Sequence, residues 1–169
     1  MKPREARVVP ERVWEIFNGI KALIEAMPDE IEMPAYMGNY QLSSDTAKCS
    51  GTPNCHMIVR ALAEFFPVKV HDGYIVERVP LGLPESGCAG NNHYHHSWLT
   101  VIDEDATFII DPWPLGVVTG PALFIRRKAF RFDDEHPFPE LEEESFIGRT
   151  TAVITAMQAI LNRSITVAT

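Results

Sequence analysis

Cysteine is scarce in this chain: three residues in 169, in no paired spacing. An odd, unpaired set builds no disulfide scaffold and fits a reducing compartment, so the cytoplasm is the expected location. Long apolar runs are also missing. No segment approaches the roughly 18 consecutive apolar residues of a membrane span. The opening "MKPREARVVPERVW" has no apolar core of signal-peptide length. Positive charge is in deficit, with 15 Lys and Arg against 23 Asp and Glu and a formal net charge of -8. Without a basic stripe, neither nucleic acid nor an anionic membrane is an expected partner. Much of the acidity sits in "DDEHPFPELEEE" (Asp133–Glu144), which reads as a solvated loop or helix start. Repeats and low-complexity segments are absent. What is present, 46% apolar and 22% charged residues, is ordinary for a soluble globular protein. A single domain over residues 1–169 is expected, burying roughly 70% of the surface of its unfolded chain.

Apolar residues at Val13, Ile16, Phe17, Ile20, Leu23 and Ile24 predict a helix over Pro10–Ala26, with proline at its start and Pro28 after its end. Met27–Gly51 has no sustained period and reads as a long irregular connection. In "TPNCHMIVRALAEFFP" (Thr52–Pro67), Ile58, Ala61, Leu62 and Phe65 stand at helical spacing, Thr52 or Asn54 can cap, and Pro67 stops the run. Three residues back from Ile58 lies Cys55, on the buried face at the helix start, where the dipole favours thiolate. Val68–Val79 alternates like a strand, with an interruption expected at Asp72-Gly73. Pro80–Tyr94 is turn chemistry and reads as a loop. "HSWLTVI" and "TFIID" form a hairpin around a loop of about four residues, "DEDA". Ala122–Phe132 supplies one or two further strands, and Thr150–Ser164 a C-terminal helix. The order predicts an α+β domain with helices packed on one antiparallel sheet.

The hairpin carries chemistry. If Ile102 pairs with Thr107, Asp111 falls opposite Trp98, and His96 becomes its diagonal neighbour on one face. An aspartate there can accept the Nδ1–H of the imidazole and leave Nε2 open. The helix that packs on this sheet begins with Cys55. Thiolate, imidazole and carboxylate are what acyl transfer asks for: a nucleophile, a proton carrier and a group that orients the carrier. The Cys55 amide, in the first helical turn, is available to a developing oxyanion.

Through "NCHMIVRALAEFF", "VKVHDGYIV", "HSWLTVI" and "TFIIDPW" the chain resembles the papain-like superfamily of cysteine hydrolases and acyltransferases, most closely its transglutaminase-like branch. The resemblance covers about residues 52–113. It implies a central Cys-bearing helix packed on an antiparallel sheet, with Cys55 as nucleophile, His96 as base and acid, and Asp111 as orienter. It implies acyl transfer or amide hydrolysis on a peptide, a protein glutamine or a small-molecule amide, through an acyl-enzyme and without a cofactor. Two places depart from the family pattern. No upstream oxyanion donor is evident beyond the candidates Gln41 and Asn54, and "PW" follows the acid.

Other readings stand beside this one. Cys55 alone suits a small buried hydrophobe, and a catalytically silent binding module on the same fold is the runner-up. Cys49 is an alternative thiol. His56 is expected to point away from Cys55, towards solvent or a local hydrogen bond. Trp98 and Trp113, with His95, are the cleft candidates, although the tryptophans suit packing. "CAGNNHYHHSW" admits a metal reading through Cys88, His93 and His95, but it lacks a Cys-x-x-Cys or helical His pair and equally suits a loop gating the cleft.

Overall fold

The protein is seen here as a computed structural model that describes residues 9–34, 48–78, 91–104, 106–112, 121–125, 130–133 and 138–167. Among these it is α+β, with three α-helices and two antiparallel sheets.

Helix α1 (Glu11–Glu25) starts after Pro10 and buries Val13, Ile16, Ile20 and Leu23, the stripe its periodicity predicts. The expected irregular connection is not wholly irregular. Strands β1 (Ile31–Pro34) and β2 (Lys48–Gly51) pair antiparallel, Ile31 with Gly51 through Pro34 with Lys48. Ile31 and Met33 are buried while Glu32 and Pro34 are exposed; that alternation spans four residues, too few to stand out in a sequence rich in turn residues. Helix α2 (Cys55–Ala63) follows directly. Its cap is Asn54, whose side-chain oxygen accepts the Met57 amide at 3.0 Å.

The main sheet contains β3 (Lys69–Arg78), β4 (Asn91–Asp103), β5 (Ala106–Asp111), β6 (Ala122–Ile125) and β7 (Phe130–Asp133), ordered β6-β5-β4-β3-β7. No interruption occurs at Asp72-Gly73: both residues stay in register, opposite Ser97 and His96. Nor does the loop expected over residues 80–94 reach Tyr94, because β4 already pairs with β3 from Asn91. The polar Asn91–His95 run hides this extension, since β3 supplies its ladder partners whatever its own propensity. The proposed gate over Cys88–Asn92 lies mostly outside the described residues.

The β4–β5 register is the predicted one, with Ile102 opposite Thr107 and the pairing running on to Leu99 opposite Ile110. The connection is tighter than expected. Asp103 and Ala106 also pair, which leaves a two-residue loop in which Glu104 takes a left-handed φ of 49°. Short hairpin loops of this kind require positive φ to match the strand twist.

Helix α3 (Glu144–Val167) is longer than predicted at both ends, and a 3-10 turn (Pro139–Glu142) precedes it. The acidic run leads into this helix start, with Glu140, Glu142, Glu143 and Glu144 exposed and Leu141 buried. One core joins the elements. Met57, Ile58, Val59, Ala61 and Leu62 of α2 cluster with Leu99, Val101, Phe108 and Ile110 of the hairpin, with the α1 stripe, and with Val153 and Met157 of α3. Each such fully buried aliphatic or aromatic side chain is worth about 1.5–3 kcal/mol, so the Cys-bearing helix is held firmly on the sheet. Among the described residues, no helix is long and apolar enough to cross a membrane.

Candidate active site

Asn54 ends the extended segment and starts α2, so Cys55 is the first helical residue. In that position the helix gives its amide no internal partner. Cys55 is 7% exposed and carries a free thiol. His96 and Asp111, near the same end of the hairpin, are buried at 0% and 1% exposure. They meet as the register predicts: His96 Nε2 donates to Asp111 Oδ2 at 2.8 Å. The ring orientation is the reverse of the expectation. Nε2, not Nδ1, goes to the carboxylate, and the buried Nδ1 makes no hydrogen bond among the described residues. A carboxylate two ladder positions away along the strand is best reached by the ring's far nitrogen. The Cys55 thiol couples to the same ring.

Burial alone would push the Cys55 thiol up. The neighbouring His56 and His96 rings outweigh it and lower the thiol to about 6. Burial likewise opposes a charged His96, but the bond to Asp111, the nearby Cys55 thiol and the negative charge of both raise it to about 9. Between those two values the pair rests as thiolate and imidazolium.

Linkage gives this pair an unusual signature. A raised His96 stabilises the fold fully below its unfolded value of 6.5, and this is lost as pH rises through about 9. A lowered Cys55 stabilises fully above 9.0, and this is lost as pH falls through about 6. Between 6.5 and about 9 the unfolded chain holds one proton on sulfur and the folded chain one on imidazole, so the two slopes cancel. In Cys55→Ala only the His96 slope survives, with Asp111 still holding the ring's proton affinity up. That variant should lose about 1–2 kcal/mol more stability than wild type across this window. Paired urea melts at the two ends of the window check it; parallel curves would deny the ion pair.

A second set of polar groups, unforeseen in the sequence, adjoins the thiol. His56 does not turn to solvent. It is half-buried, its Nδ1 lies 2.6 Å from Ser97 Oγ, and its ring meets Phe138 edge-on at 5.6 Å. Ser97 in turn donates to Asp72 Oδ1. Arg60 grips both oxygens of Asp72, at 3.0 and 2.7 Å. Burial would raise Asp72, but the bonds from Arg60 and Ser97 hold it below its ordinary value. The sequence did contain a signal: His56 and Arg60 are one helical turn apart, and Arg60 Nη1 also reaches the His56 carbonyl at 3.2 Å.

Of the remaining expected residues, Trp98 is 2% exposed and stacks beside His96 at 6.5 Å and beside His71 at 5.9 Å. It stands as a wall against the imidazole. Asn54 commits its side-chain oxygen to the cap. Cys49 lies in β2 and is half-buried. His93 and His95 occupy β4 opposite Val76 and Tyr74; their side chains, and all of Gln41, Cys88 and Trp113, lie outside the described residues. Among the described residues, no group of three His, Cys, Asp or Glu is placed to hold a metal ion. Comparison of the chain with protein-family models, with curated proteins and with solved structures finds no match in any of the three.

Proposed function

We propose that this protein is a thiol-dependent hydrolase or acyltransferase of papain-like, transglutaminase-like architecture, acting in a reducing compartment such as the cytoplasm on an amide or peptide bond. The observation that carries this reading is the buried His96–Asp111 bond at 2.8 Å beside a thiol lowered to about 6. A structural cysteine in an apolar core has its proton affinity raised, not lowered. Cys55 Sγ attacks the carbonyl carbon, and the oxygen takes the negative charge. The amides of Cys55 and His56 at the helix start are available to hold it. The carbon–nitrogen bond then breaks, and the imidazolium of His96 gives its proton to the departing amine. This leaves a thioester on Cys55 and a neutral ring. Water or an amine acceptor gives up a proton to a base of the site, attacks the thioester, and restores the thiolate. No organic cofactor takes part.

The test uses peptide aminocoumarin amides, a glutamine-containing peptide and simple anilides, with intact-mass and peptide mass spectrometry. At least one should leave an acyl mass on Cys55 that is absent in Cys55→Ala. Iodoacetamide should label Cys55 ahead of the more open Cys49, with a dependence on pH that bends near 6. Slow, unselective labelling with no acyl adduct would sink the enzymatic proposal and favour a binding module.

A further inference from the structure

Two consecutive residues of α2 meet two consecutive residues of β4: Cys55 couples to His96, and His56 bonds Ser97. Proton accounting fixes the second contact. Ser97 has one proton and donates it to Asp72, so its oxygen accepts from His56 Nδ1–H. In its neutral form the His56 ring therefore carries its lone pair on Nε2. Arg60 neutralises Asp72 and locks it bidentately, while Phe138 contacts the ring and Phe146 lies under the guanidinium at 5.6 Å. The result parallels His96 and Asp111, but the carboxylate acts through a serine and the ring is half-buried, within reach of a solvent-borne acceptor.

We propose that His56 is a second acid–base group of the Cys55 site, oriented by Ser97 and Asp72, that takes the proton from the acceptor as the thioester is cleared. The proposal rests on the acyl-enzyme reading. His96 spends its proton on the leaving amine during acylation. In deacylation the acceptor's proton passes to His56 Nε2 as the acceptor–carbonyl bond forms, the carbon–sulfur bond breaks, and Cys55 leaves as thiolate. The thiolate then relays that proton to His96, and the starting state returns with no other reagent consumed. The charged groups facing His56 are Cys55 and Arg60 on α2, Asp72 on β3, and His96 beyond the thiol.

His56→Gln keeps a donor towards Ser97 but cannot titrate. p-Nitrophenyl acetate serves as the probe because its leaving group needs no acid. In the variant, the burst of nitrophenolate should persist while steady-state release slows about tenfold or more, so that acetyl-Cys55 accumulates. The thiolate absorbance titration of Cys55 should also shift upward by about half a unit or more. Ser97→Ala, which leaves the ring but removes its anchor, should do the same more weakly, and it decides the matter if His56→Gln does not fold. Unchanged thiol titration in folded variants overturns the proposal. If wild type forms no acetyl-enzyme, the acyl-transfer reading fails, while the titration still settles whether His56 serves the thiol.

Discussion

His96→Ala should raise the thiol of Cys55 from about 6 by about two units and slow turnover by about a thousandfold or more. The two effects have different sources. Without the imidazolium, burial of the sulfur is opposed only by His56, and the thiolate fraction near neutrality falls about tenfold. On the proposed mechanism, losing the acid that protonates the leaving amine removes a further factor of about a hundred or more. Alkylation rates will understate the first effect, because a thiolate of higher proton affinity is intrinsically more nucleophilic and offsets part of the lost population. Thiolate absorbance against pH reads the population directly, with circular dichroism to show that the variant is folded. His96→Gln, which refills the buried site, serves as the second variant. If the thiol titrates unchanged in both, His96 does not hold the thiolate and the triad is not a working unit.

The parts of this site that were legible in the sequence are those fixed by periodicity. The helical spacing of Ile58, Ala61, Leu62 and Phe65 placed Cys55 at a buried helix start. The strand period of two, with one pairing at Ile102–Thr107, placed Asp111 diagonal to His96, and both residues are buried there in contact. The choice of ring nitrogen was not legible. It depends on which side of the imidazole the helix lies, and strand alternation says nothing of that. His56 was misplaced for a related reason. A helical wheel puts it beside the apolar stripe, but a fully buried partner on β4, Ser97, draws it inward. Short elements also escaped: β1 and β2 have four residues each, and only their mutual pairing makes them strands.

The two histidines divide one problem. A buried thiolate is stable only if positive charge stands next to it, yet a ring that always holds its proton cannot act as a base. His96, sealed from water and bonded to a carboxylate, is biased towards the charged form. His56 is half-buried and bonded to a neutral hydroxyl instead. The proposed division, leaving-group protonation by the first and acceptor deprotonation by the second, rests on those surroundings, as pairs of titratable groups in unlike environments commonly divide acid and base roles.

Asp111→Ala should cost about 3–5 kcal/mol of stability, a large share of the roughly 5–15 kcal/mol that holds a domain of this size. The carboxylate is 1% exposed and accepts from a ring that is 0% exposed, so its removal strands a buried N–H with no water to replace the partner. Asp111→Asn separates geometry from charge. The amide oxygen can still accept from Nε2–H, so most of the stability should return. The negative charge does not return, so His96 should fall from its raised value of about 9 and carry the alkaline limb of the turnover profile down with it. Urea melts measure the first effect, and the pH profile with histidine proton resonances measures the second. A loss below about 1 kcal/mol in Asp111→Ala would mean that the buried bond is not what secures the imidazole. An Asn variant with an unmoved alkaline limb would mean that Asp111 orients His96 without tuning its charge.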